Sequence, residues 1–181
     1  MLDYAFIANS EGLNPGDYHW EYENDEMRFR FCSTHDMETN KKLAKELAAS
    51  GCQYLDLCGD FNAAMAREIA EAAGGRLTVE YSKFSAEDDA KFNSLTNIHE
   101  YGLIIMAEGL ANGKIITHKL VSDEFTTTIA LVSNDETAKQ AAQDLVNGGI
   151  DFIEMCSYFD AAKADEVRAA IGGKVPVGYC G

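Results

Sequence analysis

The sequence predicts an α/β protein of two homologous halves, each running strand, hairpin, helix, strand, helix, strand, packed about a pseudo-two-fold axis. Three observations carry this. The stretch Cys52-Gln-Tyr-Leu-Asp-Leu-Cys-Gly-Asp-Phe61 returns as Ile150-Asp-Phe-Ile-Glu-Met-Cys-Ser-Tyr-Phe159, an apolar run with a central acid (Asp56, Glu154), then a cysteine (Cys58, Cys156), then a phenylalanine (Phe61, Phe159). The 98-residue offset between those cysteines also carries Asp25-Glu26 onto Asp123-Glu124, Gly51 onto Gly149 and Gly74-Gly75 onto Gly172-Gly173, and residues 25–83 and 123–181 are identical at 19 of 59 positions. That period far exceeds the 20 to 50 residues of solenoid repeats, so it marks a duplicated domain. Finally, each half alone is short of core, and packing against its copy would supply the missing burial.

The boundaries expected are a first repeat over 1–84, a polar linker over 85–99 and a second repeat over 100–181. Residues 4–8 and 101–106 are short continuous apolar runs, which read as buried strands. They correspond at an offset of 97, which sets Tyr4 against Tyr101 and Glu11 against Glu108. Alternation over 19–22 and 27–31, and over 115–121 and 125–132, predicts two hairpins, each with one wetter face. A helix is expected over 36–50, with Leu43, Ala44 and Leu47 on its apolar side and Gly51 just past its end. Its copy is expected over 134–147, opened by Ser133-x-x-Glu136 as a capping box. The two central stretches follow as strands. Helices are then expected over 60–73 and 160–171, closed by Gly-Gly, and last strands over 76–81 and 174–179. Pro176 has no N–H for a ladder, so the final strand starts there or lies at an edge. The later part of each half is thus a βαβαβ unit, whose crossovers make the strands parallel.

Composition narrows the function classes. The net charge of −15 argues against nucleic acid or an anionic membrane as partner, because binding a polyanion rests on Lys and Arg displacing counterions. No apolar run is long enough to span a bilayer, and the first residues carry no basic region followed by an apolar signal core. The five cysteines form no C-x-x-C pair. An odd number of thiols fits a reducing cytosol better than a disulfide scaffold.

The segments Asp123-Glu-Phe125, Ile153-Glu-Met-Cys156 and Gly172-Gly-Lys-Val-Pro-Val-Gly178 resemble an uncharacterised family of small bacterial α/β domains that usually carry one such unit. The resemblance covers about 80 residues and reaches the first half through the internal repeat, where Lys-Val-Pro-Val has become Arg76-Leu-Thr-Val79. It implies the fold and a tandem duplication. It implies no catalytic residues, because no activity is assigned to the family.

Candidate chemistry sits in the repeated stretch. Tyr54, Asp56 and Cys58 share one face of an extended strand, as do Phe152, Glu154 and Cys156. An acid inside a buried run must be paired or hydrogen-bonded. Asp56 and Glu154 are therefore either general bases and ligand-binding carboxylates or satisfied structural groups. Cys58 and Cys156 fall at strand C-terminal ends before helices, where open parallel sheets bind ligands and thiol pKa values fall; the alternative is packing as small hydrophobes. Asp56, Glu154, Cys58 and Cys156 are the catalytic candidates. Glu11, Glu108, Asp60, Phe61, Ser157, Tyr158, Phe159 and His118 are the ligand-binding candidates. No histidine is duplicated, since His118 aligns with Trp20, so neither a Cys-His nucleophile nor a metal site is expected. No nucleotide-binding or serine-hydrolase motif occurs, and no cofactor is expected. The function expected is a cytoplasmic α/β protein binding a small polar metabolite at strand C-terminal ends, with isomerase- or lyase-like acid–base chemistry. The alternative is a non-catalytic protein-binding or assembly module, with further oligomerisation open to either.

Overall fold

The computed structural model describes residues 1–10, 13–123 and 125–181. The chain divides into two compact units, Met1–Tyr81 and Ser82–Gly181.

The first unit runs β1 (Leu2–Asn9), β2 (His19–Glu23), β3 (Met27–Thr34), α1 (Met37–Ala49), β4 (Tyr54–Leu57), α2 (Ala63–Ala72) and β5 (Thr78–Tyr81). Its sheet has the order β2-β3-β1-β4-β5. The β2–β3 hairpin is antiparallel, whereas β3, β1, β4 and β5 are mutually parallel. Side-chain partners identify the two faces of the sheet. Thr34 hydrogen-bonds Asn40 of α1, and Arg30 donates to Ser50 at the end of that helix. Arg30, Cys32 and Thr34 therefore face the helices, together with Ala5, Ile7, Leu55 and Leu57 by register. The opposite face carries Tyr4, Phe6, Phe29, Phe31 and Asp56, all buried, with Tyr4 stacked on Phe29 and Phe6 on Phe31.

The second unit opens with β6 (Lys83–Phe84) and α3 (Ala86–Asn93) and continues with β7 (Glu100–Met106), β8 (Ile115–Val121), β9 (Thr126–Val132), α4 (Asp135–Asn147), β10 (Phe152–Met155), α5 (Ala161–Ala170) and β11 (Val177–Tyr179). The sheet order is β6-β11-β10-β7-β9-β8. Elements α1, β4 and α2 recur as α4, β10 and α5 with every boundary moved by the same 98 residues. The last strand begins directly after Pro176, whose carbonyl accepts the Ile153 N–H at 3.0 Å.

Several starts differ from the expected ones, each for a local reason. The cap of α4 is Asn134, which exchanges hydrogen bonds with Thr137 as a capping box, while Ser133 Oγ accepts the Gly113 N–H at 3.0 Å. The cap of α2 is Asn62, whose Oδ1 accepts from Ala64 and Met65; Asp60 lies in the preceding turn, closed by the Phe61 N–H on the Cys58 carbonyl at 3.1 Å. Gly51 and Gly149, with φ of 92° and 89°, end α1 and α4 in the left-handed conformation that glycine adopts without a Cβ penalty.

Residues 82–99, which include the segment read as a linker, fold onto the second unit. Strand β6 pairs antiparallel with β11, and Lys83 Nζ donates to the Cys180 carbonyl at 3.3 Å. The close approach depends on Gly178: a Cβ there would lie 2.6 Å from Ser82 Oγ and 2.8 Å from the Phe84 ring. Its first-half counterpart is Glu80, on the edge strand β5. Helix α3 is held by Asp88, fully buried, which accepts from Arg168 Nε of α5 at 2.5 Å, and by Lys91, which donates to the Gly173 carbonyl at 3.0 Å. Phe92 stacks on Phe84 at 4.8 Å and meets Phe152 edge-on at 5.0 Å, and Phe152 stacks on Tyr101. Among the described residues, no helix is long and apolar enough to cross a membrane.

Candidate functional site

The repeated stretch builds the same constellation in both units. Asp56 and Glu154 are 1% and 0% exposed, so neither presents its carboxyl to solvent. Each accepts a hydrogen bond from a tyrosine on the neighbouring parallel strand: Tyr4 Oη to Asp56 Oδ2 at 2.8 Å, and Tyr101 Oη to Glu154 Oε2 at 2.6 Å. The register pairs Tyr4 with Tyr54 and Tyr101 with Phe152, so each phenol reaches diagonally to an acid two residues further along the neighbouring strand. The repeated Tyr4 and Tyr101 were the sequence signal for these partners, and only the adjacency of the two strands turns it into a contact.

The cysteines are equally matched. Cys58 Sγ accepts the Asn9 N–H at 3.1 Å, and Cys156 Sγ accepts the Met106 N–H at 3.3 Å. Each sulfur thus satisfies a backbone donor at the end of the neighbouring parallel strand, β1 for Cys58 and β7 for Cys156. The thiols are 7% and 4% exposed. Of the other thiols, burial pushes Cys32 up to about 12 and Cys52 up to about 11, with the Arg30 charge opposing both shifts. In the native state at neutral pH, no cysteine is expected to react readily with a maleimide, because thiolate is the reactive form. Cys58→Ala and Cys156→Ala should each lower stability by roughly 1–2 kcal/mol, through the small cavity and the lost acceptor. Rapid labelling of Cys58 or Cys156 below pH 7 would contradict this.

The two strand ends differ around these shared parts. In the first unit the Asn9 side chain hydrogen-bonds Asp60, whose carboxyl is raised above its ordinary range by desolvation, with the Asn9 bond acting in the opposite direction. In the second unit the corresponding residues are Met106 and Tyr158. Tyr158 is 44% exposed, and Lys163 Nζ lies over its ring at 3.5 Å. Ser157 is half-buried beside it. Phe61 and Phe159 are buried under the turns that follow each strand. Glu108 lies exposed in a turn after β7; Glu11 falls outside the described residues. His118 is not brought to Glu154. The register runs His118–Ile129–Leu103–Glu154, three strand spacings, or roughly 14 Å. Its imidazole is shifted downward by desolvation. Among the described residues, no three His, Cys, Asp or Glu side chains converge as metal ligands.

Fold and site together define a tandemly duplicated α/β protein, each unit carrying one buried tyrosine–carboxyl pair and one N–H-accepting cysteine. The chain belongs to a family of unknown function (DUF6506), which it matches twice, over residues 2–97 and 99–181. No curated protein matches it.

Proposed function

We propose that this is a cytosolic protein that binds a small polar metabolite at the C-terminal ends of β1 and β4, with acid–base chemistry of the isomerase or lyase type centred on Asp60. The observation that carries this reading is the Asn9–Asp60 hydrogen bond at this strand end, where Asp60 is exposed and its carboxyl raised by partial desolvation, and where the second unit places Met106 and Tyr158 instead. A carboxyl whose pKa is raised holds its proton more readily than an ordinary aspartate, which suits a group that gives and takes protons. Crevices beyond the strand ends of open parallel sheets are also where ligands bind. Asp56 would act from within β4, held by the Tyr4 phenol, and Glu154 would act likewise in its own unit through Tyr101. The rival reading, an assembly module, would draw on a contiguous exposed apolar patch; among the described residues the large exposed hydrophobic side chains are Met1, Tyr54, Val121 and Tyr158, each from a different segment.

The raised Asp60 pKa fixes the sign of a pH effect. The folded state disfavours ionised Asp60, so the penalty is absent below the ordinary aspartate pKa and complete above the folded one. The Asp60 contribution to stability should therefore rise as pH falls through that window, and the difference between wild type and Asp60→Asn should show it. The functional test is a thermal-shift screen of small polar acids, amides and sugars against wild type, Asp60→Asn and the Asp56→Asn, Glu154→Gln pair. A compound that stabilises wild type and loses its effect in Asp60→Asn supports the reading. No stabilising compound, or equal stabilisation of Asp60→Asn, would remove Asp60 from the role.

A further inference from the structure

The two units differ most tellingly where α1 and α4 pack on their sheets. In the first unit, Arg30 on β3 extends under the end of α1, where its guanidinium pairs with Asp3 of β1 and donates to Ser50 Oγ at 2.9 Å. The ion pair is largely shielded, with side-chain exposures of 17% and 11%. Leu43 of α1 aligns with Ala141 of α4.

The second unit retains the acid and loses what filled the space. Register equates β1 with β7 and β3 with β9, so that Asp3 corresponds to Glu100 and Arg30 to Thr128. The 98-residue offset equates Leu43 with Ala141 and Ser50 with Gly148. Three substitutions shorten the side chains at one place, and a groove of about 170 Å³ opens there, lined by Glu100, Thr128, Ala141 and Gly148. Leu145 and Ile150 supply apolar wall, and Asp144 and Lys119 also border it. Lys119 is exposed and forms no ion pair among the described residues.

We propose that this groove binds a small guanidino acid, its guanidinium on Glu100 in the position that Arg30 occupies against Asp3, and its carboxylate on Lys119. The chain itself supplies the pattern. Its first half holds a guanidinium on an acid at the equivalent point, as planar donors suit a carboxylate. The second half keeps the acid and replaces the arginine by threonine. A short methylene chain would lie along Leu145 and Ile150 while both charged ends are met. The groove lies by the start of β7 and the end of α4, at the opposite end of the parallel strands from Cys156. It is therefore separate from the strand-end site proposed above.

The test is isothermal titration of the full chain with 4-guanidinobutyrate. Saturable binding of one ligand per chain is expected, weakened at least tenfold by Glu100→Gln and by Lys119→Gln. Thr128→Arg should abolish binding, because it rebuilds the arginine–acid pair of the first unit inside the groove. Ala141→Leu closes the same space with the residue that the first unit uses, and should weaken binding at least tenfold. Thermal melting of both variants identifies any loss of fold. Agmatine, which lacks the carboxylate, should bind at least tenfold more weakly than 4-guanidinobutyrate. Absence of saturable binding to wild type overturns the proposal, as does undiminished binding to folded Thr128→Arg or Ala141→Leu. Equal affinity for agmatine overturns the assignment of Lys119.

Discussion

Arg168→Met is expected to destabilise the second unit by about 3–5 kcal/mol, the range found when one partner of a buried ion pair is removed. The left-behind group is Asp88, fully buried on α3, whose Oδ2 receives Arg168 Nε at 2.5 Å. Lys91 Nζ lies 3.9 Å from the other carboxylate oxygen, too far to replace that hydrogen bond. The effect should concentrate on α3, whose amides would lose hydrogen-exchange protection before those of β7 and β9. Replacing both partners, Asp88→Leu with Arg168→Met, should recover most of the loss, because an apolar pair leaves no uncompensated charge. If Arg168→Met shifts the urea midpoint by less than the equivalent of about 1 kcal/mol, the pair does not hold α3 in place.

The second large effect is expected at the tyrosine–carboxyl pairs. Tyr101→Phe keeps the ring that stacks on Phe152 and removes only the hydroxyl that donates to Glu154 at 2.6 Å. A buried acceptor that loses a donor costs roughly 1–3 kcal/mol. Tyr4→Phe should act alike through Asp56, since the geometry is repeated. Because the two pairs lie in separate units, the double variant should show the two losses as additive when each is read from amides of its own unit. Wild-type stability in both single variants would mean that the phenols do not support the acids.

Much of the fold was legible because duplication makes the sequence its own comparison. The offset that aligns Cys58 with Cys156 also aligns two helices and a strand to the residue. Helix ends were visible where chemistry was unambiguous, as at Gly51, which follows α1 with a φ of 92°. They were missed by one residue where two polar neighbours competed, as at Ser133 and Asn134. The segment 85–99 read as a linker because it is polar and has no counterpart in the second half. What orders it is a buried ion pair, Asp88 with Arg168, and the edge-on contact of Phe92 with Phe152, contacts between distant residues that no local pattern encodes.

The candidate site was legible in its residues and hidden in its connections. The central acids and cysteines stood out as repeated, but their partners, Tyr4 and Tyr101 for the acids and the Asn9 and Met106 amides for the thiols, depend on strand order. Strand order is a tertiary property that a βαβαβ pattern leaves open. The substitution of Arg30 by Thr128 is likewise plain in the aligned halves. Its meaning as an opened groove appears only once α4 is laid over the sheet.

The family match and the folded units divide the chain at different places, residue 98 and residue 82. Strand β6 therefore belongs by descent to the first repeat and by hydrogen bonding to the second, with Lys83 paired to Tyr179. During synthesis, residues 83 and 84 leave the ribosome long before β11 exists. At about 5–20 residues per second, the delay is of the order of five to twenty seconds. Over that interval Phe84 and Phe92 lack the complete sheet that they close against, and the pairing of β6 with β11, Phe84 with Gly178 and Lys83 with Tyr179, is among the longest-range contacts in the chain. Loop closure of that span is slow compared with local hairpin formation. The second sheet is thus expected to be completed last, by a pre-existing strand waiting for its neighbour to emerge.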